Sequence, residues 1–267
     1  MFKFNTHNPT EREVVRLLAY GEGIITRERF LSVSNRTMLS RFRAAGLLKE
    51  KPDAEKGVFQ ITDKFKQAYL RQIDPDMRFA GSGSITHSAI VQDALRLIPS
   101  TASLTSGEAI KRELEEYQKT ADYHSREADL RTWYKQECEK AKGELRQAQT
   151  PMDRYEALDR HNFCNRFSNS DKLVSAPDFK AELTSGEIDQ MLSSLMDRYY
   201  NDERLTEREQ KFTHEAIRTL QQAQTCMTGT TVTIFFEAVT DNYGRVELEQ
   251  KENCSIILNT PIVYFAG

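Results

Sequence analysis

The chain's 267 residues, 39% hydrophobic and 29% charged with a formal net charge of −3, fit a globular protein with a large wetted surface and room for two modest domains of about 100–200 residues. No run approaches the roughly 18 apolar residues of a membrane span. The opening Met1-Phe2-Lys3-Phe4-Asn5 lacks the basic-then-apolar layout of a signal peptide, so the expectation is a cytoplasmic, bacterial protein with no membrane partner.

Residues 8–72 read as a winged helix-turn-helix inside an N-terminal domain of residues 1–80. Helical spacing over 10–20 turns Val14, Leu17 and Leu18 inward, and Gly21-Glu22-Gly23 stops that helix. A second helix over 26–33 brings Phe30 and Leu31 to the core. Ser34 can cap a third, with Met38, Leu39, Phe42 and Ala45 at helical spacing and Gly46 as a left-handed terminator. Leu47-Leu48-Lys49-Glu50 begins a strand, the polar turn 51–57 reverses the chain, and 58–62 returns. A helix over 63–71 then buries Phe65, Ala68 and Tyr69. This order is that of a winged helix, whose third helix fits the major groove.

Charge supports a nucleic-acid partner for this part. Residues 1–80 hold 15 Lys/Arg against 10 Asp/Glu, whereas the remainder holds 22 against 30, an asymmetry of the kind that marks a basic end meeting nucleic acid. Opposite the Met38/Leu39/Phe42 stripe the third helix displays Arg36, Thr37, Ser40, Arg41 and Arg43. Arg27, Asn35 and Lys49 flank it, and Lys51 and Lys56 sit on the wing. Lys and Arg in such positions neutralise phosphates, whereas Asn35 or Arg36 could reach base edges. Double-stranded DNA is the expected partner, bound by a homodimer across two half-sites. A winged helix used for protein contacts, with a solvated basic face, is the alternative.

A flexible connection over 77–84, ending Gly81-Ser82-Gly83-Ser84, leads to a second domain, 85–267. Four T-x-x-E capping boxes start at Thr10, Thr105, Thr184 and Thr206. Behind Thr184, the residues Ile188, Met191, Leu192, Leu195 and Tyr199 share one face. Two Leu-Thr-Ser-Gly-Glu copies, from Leu104 and Leu183, have unmatched flanks and read as one cap used twice. Helices are expected over 86–98, 105–120 and 125–149, broken by Pro151, and a long loop over 163–179. Residues 105–225 are a candidate surface for a protein partner, with Trp133 and Tyr134 either contact residues or core. β-branched and aromatic residues make 231–239 a strand, and 262–265 is strand-like. Residues 246–258 fit a helix, through Glu247–Lys251 at i,i+4, or a strand, through Val246/Leu248 alternation. The fold class is therefore mainly α with small β (α+β): a winged helix, a helical middle and a C-terminal strand-helix-strand or β-hairpin unit.

The run Ile85-Thr86-His87-Ser88-Ala89-Ile90-Val91-Gln92-Asp93-Ala94-Leu95 follows the winged helix closely. In this order the first 90 or so residues resemble the replication-relaxation proteins of plasmids and integrative mobile elements. The resemblance implies a helix opened by a His, here His87, followed by a restriction-endonuclease-like domain. His87 read alone is a helix-start residue.

A nuclease of that type needs carboxylates for a divalent metal and a Lys near the attacked phosphate. If 246–258 is a strand, Asp241 with Glu249-Gln250-Lys251 supplies the pattern. If it is a helix, Glu237 is the acid, Val239 stands where the Lys is expected, and Lys251 would have to project from the neighbouring helix. Pro177-Asp178 is another candidate acid, 59 residues before Glu237. No version is complete, which leaves a degenerate core or charged residues on a solvated face as alternatives. No cofactor is expected, with Mg2+ needed only under the nuclease reading.

The four cysteines (Cys138, Cys164, Cys226, Cys254) form no C-x-x-C pair, so neither zinc nor a disulfide framework is indicated. Phosphate-loop, dinucleotide-binding and G-x-S-x-G fingerprints are absent. The expected function is DNA binding as a transcriptional regulator or DNA-processing accessory factor, with the metal-dependent endonuclease and the interaction adaptor as alternatives.

Overall fold

A computed structural model describes residues 2–52, 54–81 and 83–267. Met1, Asp53 of the wing turn and Ser82 of the connection lie outside the described residues. Helices hold 59% of the chain and strands 13%, so the class is mainly α with a small β component. No helix among the described residues is long and apolar enough to cross a membrane.

Backbone contacts gather the chain into two compact units. The first comprises Met1–Ile110, Pro177–Tyr243 and Thr260–Gly267; the second comprises Lys111–Ala176 and Gly244–Asn259.

The first unit begins with the winged helix: α1 (Pro9–Tyr20), β1 (Ile24–Thr26), α2 (Arg27–Val33), α3 (Arg36–Ala44), β2 (Leu48–Glu50), β3 (Val58–Ile61) and α4 (Asp63–Gln72). Its sheet has the order β1-β3-β2, antiparallel throughout. Three-residue β1 escapes sequence reading because so short a run carries no periodicity. Two caps differ from expectation. Asn8, not Thr10, caps α1, because Pro9 fills the first helical position, where no N–H is needed. Asn35, not Ser34, caps α3 by accepting from the Met38 amide at 2.9 Å, while the Ser34 hydroxyl donates back to the Phe30 carbonyl. Val14, Leu18, Phe30, Leu39, Phe42, Phe59 and Phe65 form the core.

The rest of the first unit is built on a four-stranded sheet. Its strands are β4 (Ser103–Ser106), β5 (Phe179–Thr184), β6 (Thr231–Val239) and β7 (Ile262–Ala266), in that order. The first three are antiparallel and β6–β7 is parallel. Helices α5 (Ile85–Leu97), α9 (Ser185–Asn201) and α10 (Glu207–Thr225) share a core with the sheet, formed by Leu95, Phe179, Leu183, Ile188, Leu195, Leu220, Phe236 and Val263. The capping boxes at Thr184 and Thr206 form as expected. The one expected at Thr105 does not, since β4 runs on through Ser106 and the Ser106 hydroxyl accepts from Ala109 instead.

Leu17 of α1 belongs to this second core, so α1 serves both. Polar contacts along α5 reinforce the join. Arg16 donates to the Leu95 and Ile98 carbonyls at 2.7 and 3.0 Å, satisfying acceptors that the end of α5 leaves open. Arg29 grips Asp93 bidentately at 2.5 and 2.7 Å.

The second unit holds most of α6 (Gly107–Tyr117), a hairpin of α7 (Ala121–Gln147) and α8 (Pro151–Ser168), and α11 (Arg245–Leu258). Of the expected loop over 163–179, residues 163–168 complete α8, 169–178 carry no helix or strand, and Phe179 begins β5. No helical stripe marks α8 in the sequence, because Met152, Tyr155 and Leu158 lie exposed and only Ala157, Cys164, Phe167 and Ser168 are buried. Pro151 starts α8 behind the Thr150–Asp153 capping box. Residues 246–258 are helical, so the C-terminal element order is strand-helix-strand and not a hairpin. The run Glu247-Leu248-Glu249-Gln250-Lys251 favours a helix, and Glu247 holds the Gly244 amide at its start. Tyr134, almost fully buried, stacks on Phe167 and donates to Glu249 and Asn253. Trp133 beside it is half exposed.

Candidate functional site

Two places concentrate chemistry in the first unit. On the winged helix, α3 buries Met38, Leu39 and Phe42 and exposes Arg36, Thr37 and Ser40. Arg27 opens α2, its amide donating to the Gly57 carbonyl at 2.7 Å, which ties the helix to the wing. Arg27, Arg36, Lys49, Lys51 and Lys56 form no ion pair among the described residues; all but half-buried Lys51 are exposed.

Three expected DNA ligands have partners within the chain. Asn35 spends its side-chain oxygen on the α3 cap. Arg43 lies over the Phe59 ring at 5.3 Å and faces Glu50 at 3.6 Å. Arg41 pairs with Glu11, whose side chain is 2% exposed, and lies over the Phe2 and Phe42 rings. A carboxylate so deeply buried needs its counter-ion, so Arg41 serves the fold.

The second place lies at one end of the four-stranded sheet. The register pairs Phe179 with Phe236, which brings Asp178, just before β5, beside Glu237 of β6. The Asp178 amide donates to Glu237 Oε2 at 3.0 Å, and Asp178 Oδ2 accepts from the Ala238 amide at 2.8 Å. Tyr243 donates its hydroxyl to Glu237 Oε1. From the first turn of α5, whose cap is Ser84, His87 reaches Asp178 Oδ2 with Nε2 at 3.2 Å. Its Nδ1 lies 3.1 Å from Glu22 Oε1, and Ser88 donates to Glu22 Oε2 at 2.7 Å. Burial alone would push the His87 pKa down, but hydrogen bonds and charge from Asp178 and Glu22 outweigh it and push it up to about 10. Ligand atoms of His87, Asp178 and Glu237 all lie within 4.8 Å of one another, a spacing that one divalent cation could bridge.

The two Leu-Thr-Ser-Gly-Glu copies differ here. A Cβ at Gly186 would meet open space, whereas one at Gly107 would fall 2.6 Å from the Asp178 carbonyl oxygen and 2.8 Å from that of Pro177. Backbone cannot yield as a side chain can, so Gly107→Ala is expected to cost about 1–3 kcal/mol and displace Asp178. Chemical denaturation of this variant beside Gly186→Ala, expected to be near neutral, checks it.

Of the sequence candidates, Glu237 and Asp178 belong to this cluster. The strand-borne pattern of Asp241, Glu249 and Lys251 does not form, since Glu249 and Lys251 lie on α11. Glu249 accepts from Tyr134, and Lys251 donates to the Ala176 carbonyl at 2.5 Å. Asp241 is on an exposed turn, paired with Arg208 at 2.6 Å. Val239, in the place expected for Lys, is fully buried. Glu22 had no signal in the sequence beyond its place in a helix-stopping turn. Comparison with family models, with characterised proteins and with solved structures finds no match to this chain.

Proposed function

We propose that the chain binds double-stranded DNA through the winged helix, with α3 in the major groove and the β2–β3 wing on the phosphates, as a regulator or DNA-processing accessory factor. The observation that carries this reading is the outer face of α3. Arg36, Thr37 and Ser40 are exposed, as are Lys49 and Lys56 of the wing, and none of these three cations has an ion-pair partner among the described residues. A link to plasmids or integrative elements rests on the resemblance of the first 90 residues alone.

The test is binding to random-sequence and upstream-region duplexes at two salt concentrations, for wild type and the triple variant Arg36→Ala/Lys49→Ala/Lys56→Ala. Each lost phosphate contact flattens the log-log salt dependence by about 0.9, so the triple variant should lose about 2–3 from the slope. Equal affinity and equal slope would leave a winged helix that holds proteins. Arg41 stays untouched in this design, because its loss would be read as unfolding.

A second reading, a metal-dependent endonuclease, is favoured by the convergence of Asp178, just before β5, and Glu237 on the neighbouring β6. The closing order β6-α11-β7 is the strand-helix-strand alternative read from the sequence. Asp178, Glu237 and His87 would hold a divalent cation, which at a phosphodiester polarises the phosphoryl oxygen and lowers the pKa of an attacking water. Val239 supplies no charge for the transition state. Incubating a plasmid with Mn2+ tests this: cutting by the wild type should vanish with Asp178→Asn and with Glu237→Gln. Undiminished cutting by both variants would assign it to other residues or a contaminant.

A further inference from the structure

We infer that Glu22, carried by the turn between α1 and β1 of the winged helix, is a positioning residue for a divalent-cation site formed by His87, Asp178 and Glu237. This rests on the cation reading above and adds to it a residue from the DNA-binding domain.

The donor set comes first. One imidazole nitrogen with two carboxylates suits Mn2+ or Zn2+ better than Mg2+, which favours oxygen ligands and retains its waters. An imidazole that ligates a metal commonly donates its other N–H to a carboxylate, which fixes the ring plane and the tautomer. The two sides of His87 are already divided in this way. Nε2 faces Asp178 and Nδ1 faces Glu22, and the Ser88 hydroxyl fixes the far oxygen of Glu22.

The backbone is shaped to deliver that carboxylate. Glu22 has φ +58°, a left-handed conformation uncommon outside glycine. Across from it, a Cβ at Gly83 would fall 2.0 Å from Glu22 Oε2, so the carboxylate occupies space that only glycine leaves open. The turn is also part of the wing's sheet, since the Gly23 carbonyl accepts from the Ile61 amide of β3 at 2.8 Å. Orientation of His87 thus depends on backbone that belongs to the DNA-binding domain.

The experiment is calorimetric titration of Mn2+ into the full chain, alongside thermal unfolding of each variant. Glu22→Gly removes the carboxylate at a position whose φ suits glycine. Gly83→Ala keeps the carboxylate and displaces it, so either variant serves if the other folds poorly. The expected result is one Mn2+ per chain in the wild type, loss in Asp178→Asn, and about 10- to 100-fold weaker binding in Glu22→Gly and Gly83→Ala with unfolding midpoints close to wild type. Binding that needs Asp178 yet is unchanged in both of the other variants overturns the role of Glu22 and leaves the cation site standing. No uptake by the wild type, or uptake that persists in Asp178→Asn, overturns the cation reading and this inference with it.

Discussion

Replacing Arg41 by alanine is expected to lower folding stability by about 2–3 kcal/mol. Removing one partner of a buried ion pair commonly costs about 3–5 kcal/mol, because the other charge stays behind without compensation. The figure is reduced here because the Arg41 side chain is 45% exposed, and water screens that end of the pair. Among the described residues Glu11 then keeps only its bond from the Asn5 amide, at 3.1 Å, which does not neutralise it. The double variant Glu11→Gln/Arg41→Ala should recover much of the loss, since an amide in that position carries no charge to compensate. Urea denaturation of the two single variants and the double variant measures this coupling. A loss under about 0.5 kcal/mol for Arg41→Ala, accompanied by weaker DNA binding, would return Arg41 to the groove-facing set.

Phe42→Ala should cost still more, about 3–5 kcal/mol. Phe42 is fully buried and its ring meets those of Phe2, Phe4 and Phe30 at 5.6, 6.2 and 5.9 Å. Truncation leaves a cavity bordered by three rigid rings, which cannot collapse into it. Because the same residue fastens α3 to the core, the DNA binding proposed for α3 should fall in parallel with stability. Trp133→Ala is the control. Its ring is half exposed on α7, so the change should stay within about 1 kcal/mol despite the larger side chain. A denaturant midpoint for Phe42→Ala close to that of wild type would show that the α3 core tolerates the loss.

The winged helix was legible because each signal in it is local. Stripes such as Met38/Leu39/Phe42, the terminator Gly46 (φ +71°) and the polar wing turn each act within a few residues. The cluster around Glu237 was legible only in part. Glu237 and Asp178 stand out as acids bordering strands, but 59 residues separate them, and only the register of β5 on β6 makes them neighbours. His87 carries the signature of a helix start, which it also is. Glu22 had no signal, since its role depends on a left-handed turn and on space left by Gly83. The pairing of Arg41 within the fold was hidden for a related reason. Charge on a predicted helix face is visible in sequence, whereas the buried Glu11 that claims it is not.

The parallel pair β6–β7 has a consequence for how the chain is made. β6 is nine residues long and carries Ile234, Phe235, Phe236, Ala238 and Val239, all buried. One of its sides pairs with β5, and the other waits for residues 262–266. Until those emerge from the ribosome, a long apolar strand presents an open row of amides and carbonyls, a template for pairing with another chain. The winged helix, complete by residue 72, can fold first, but the sheet closes only when its last strand arrives. Nonsense or frameshift lesions just before Ile262 should therefore yield aggregates rather than a slightly shortened functional protein.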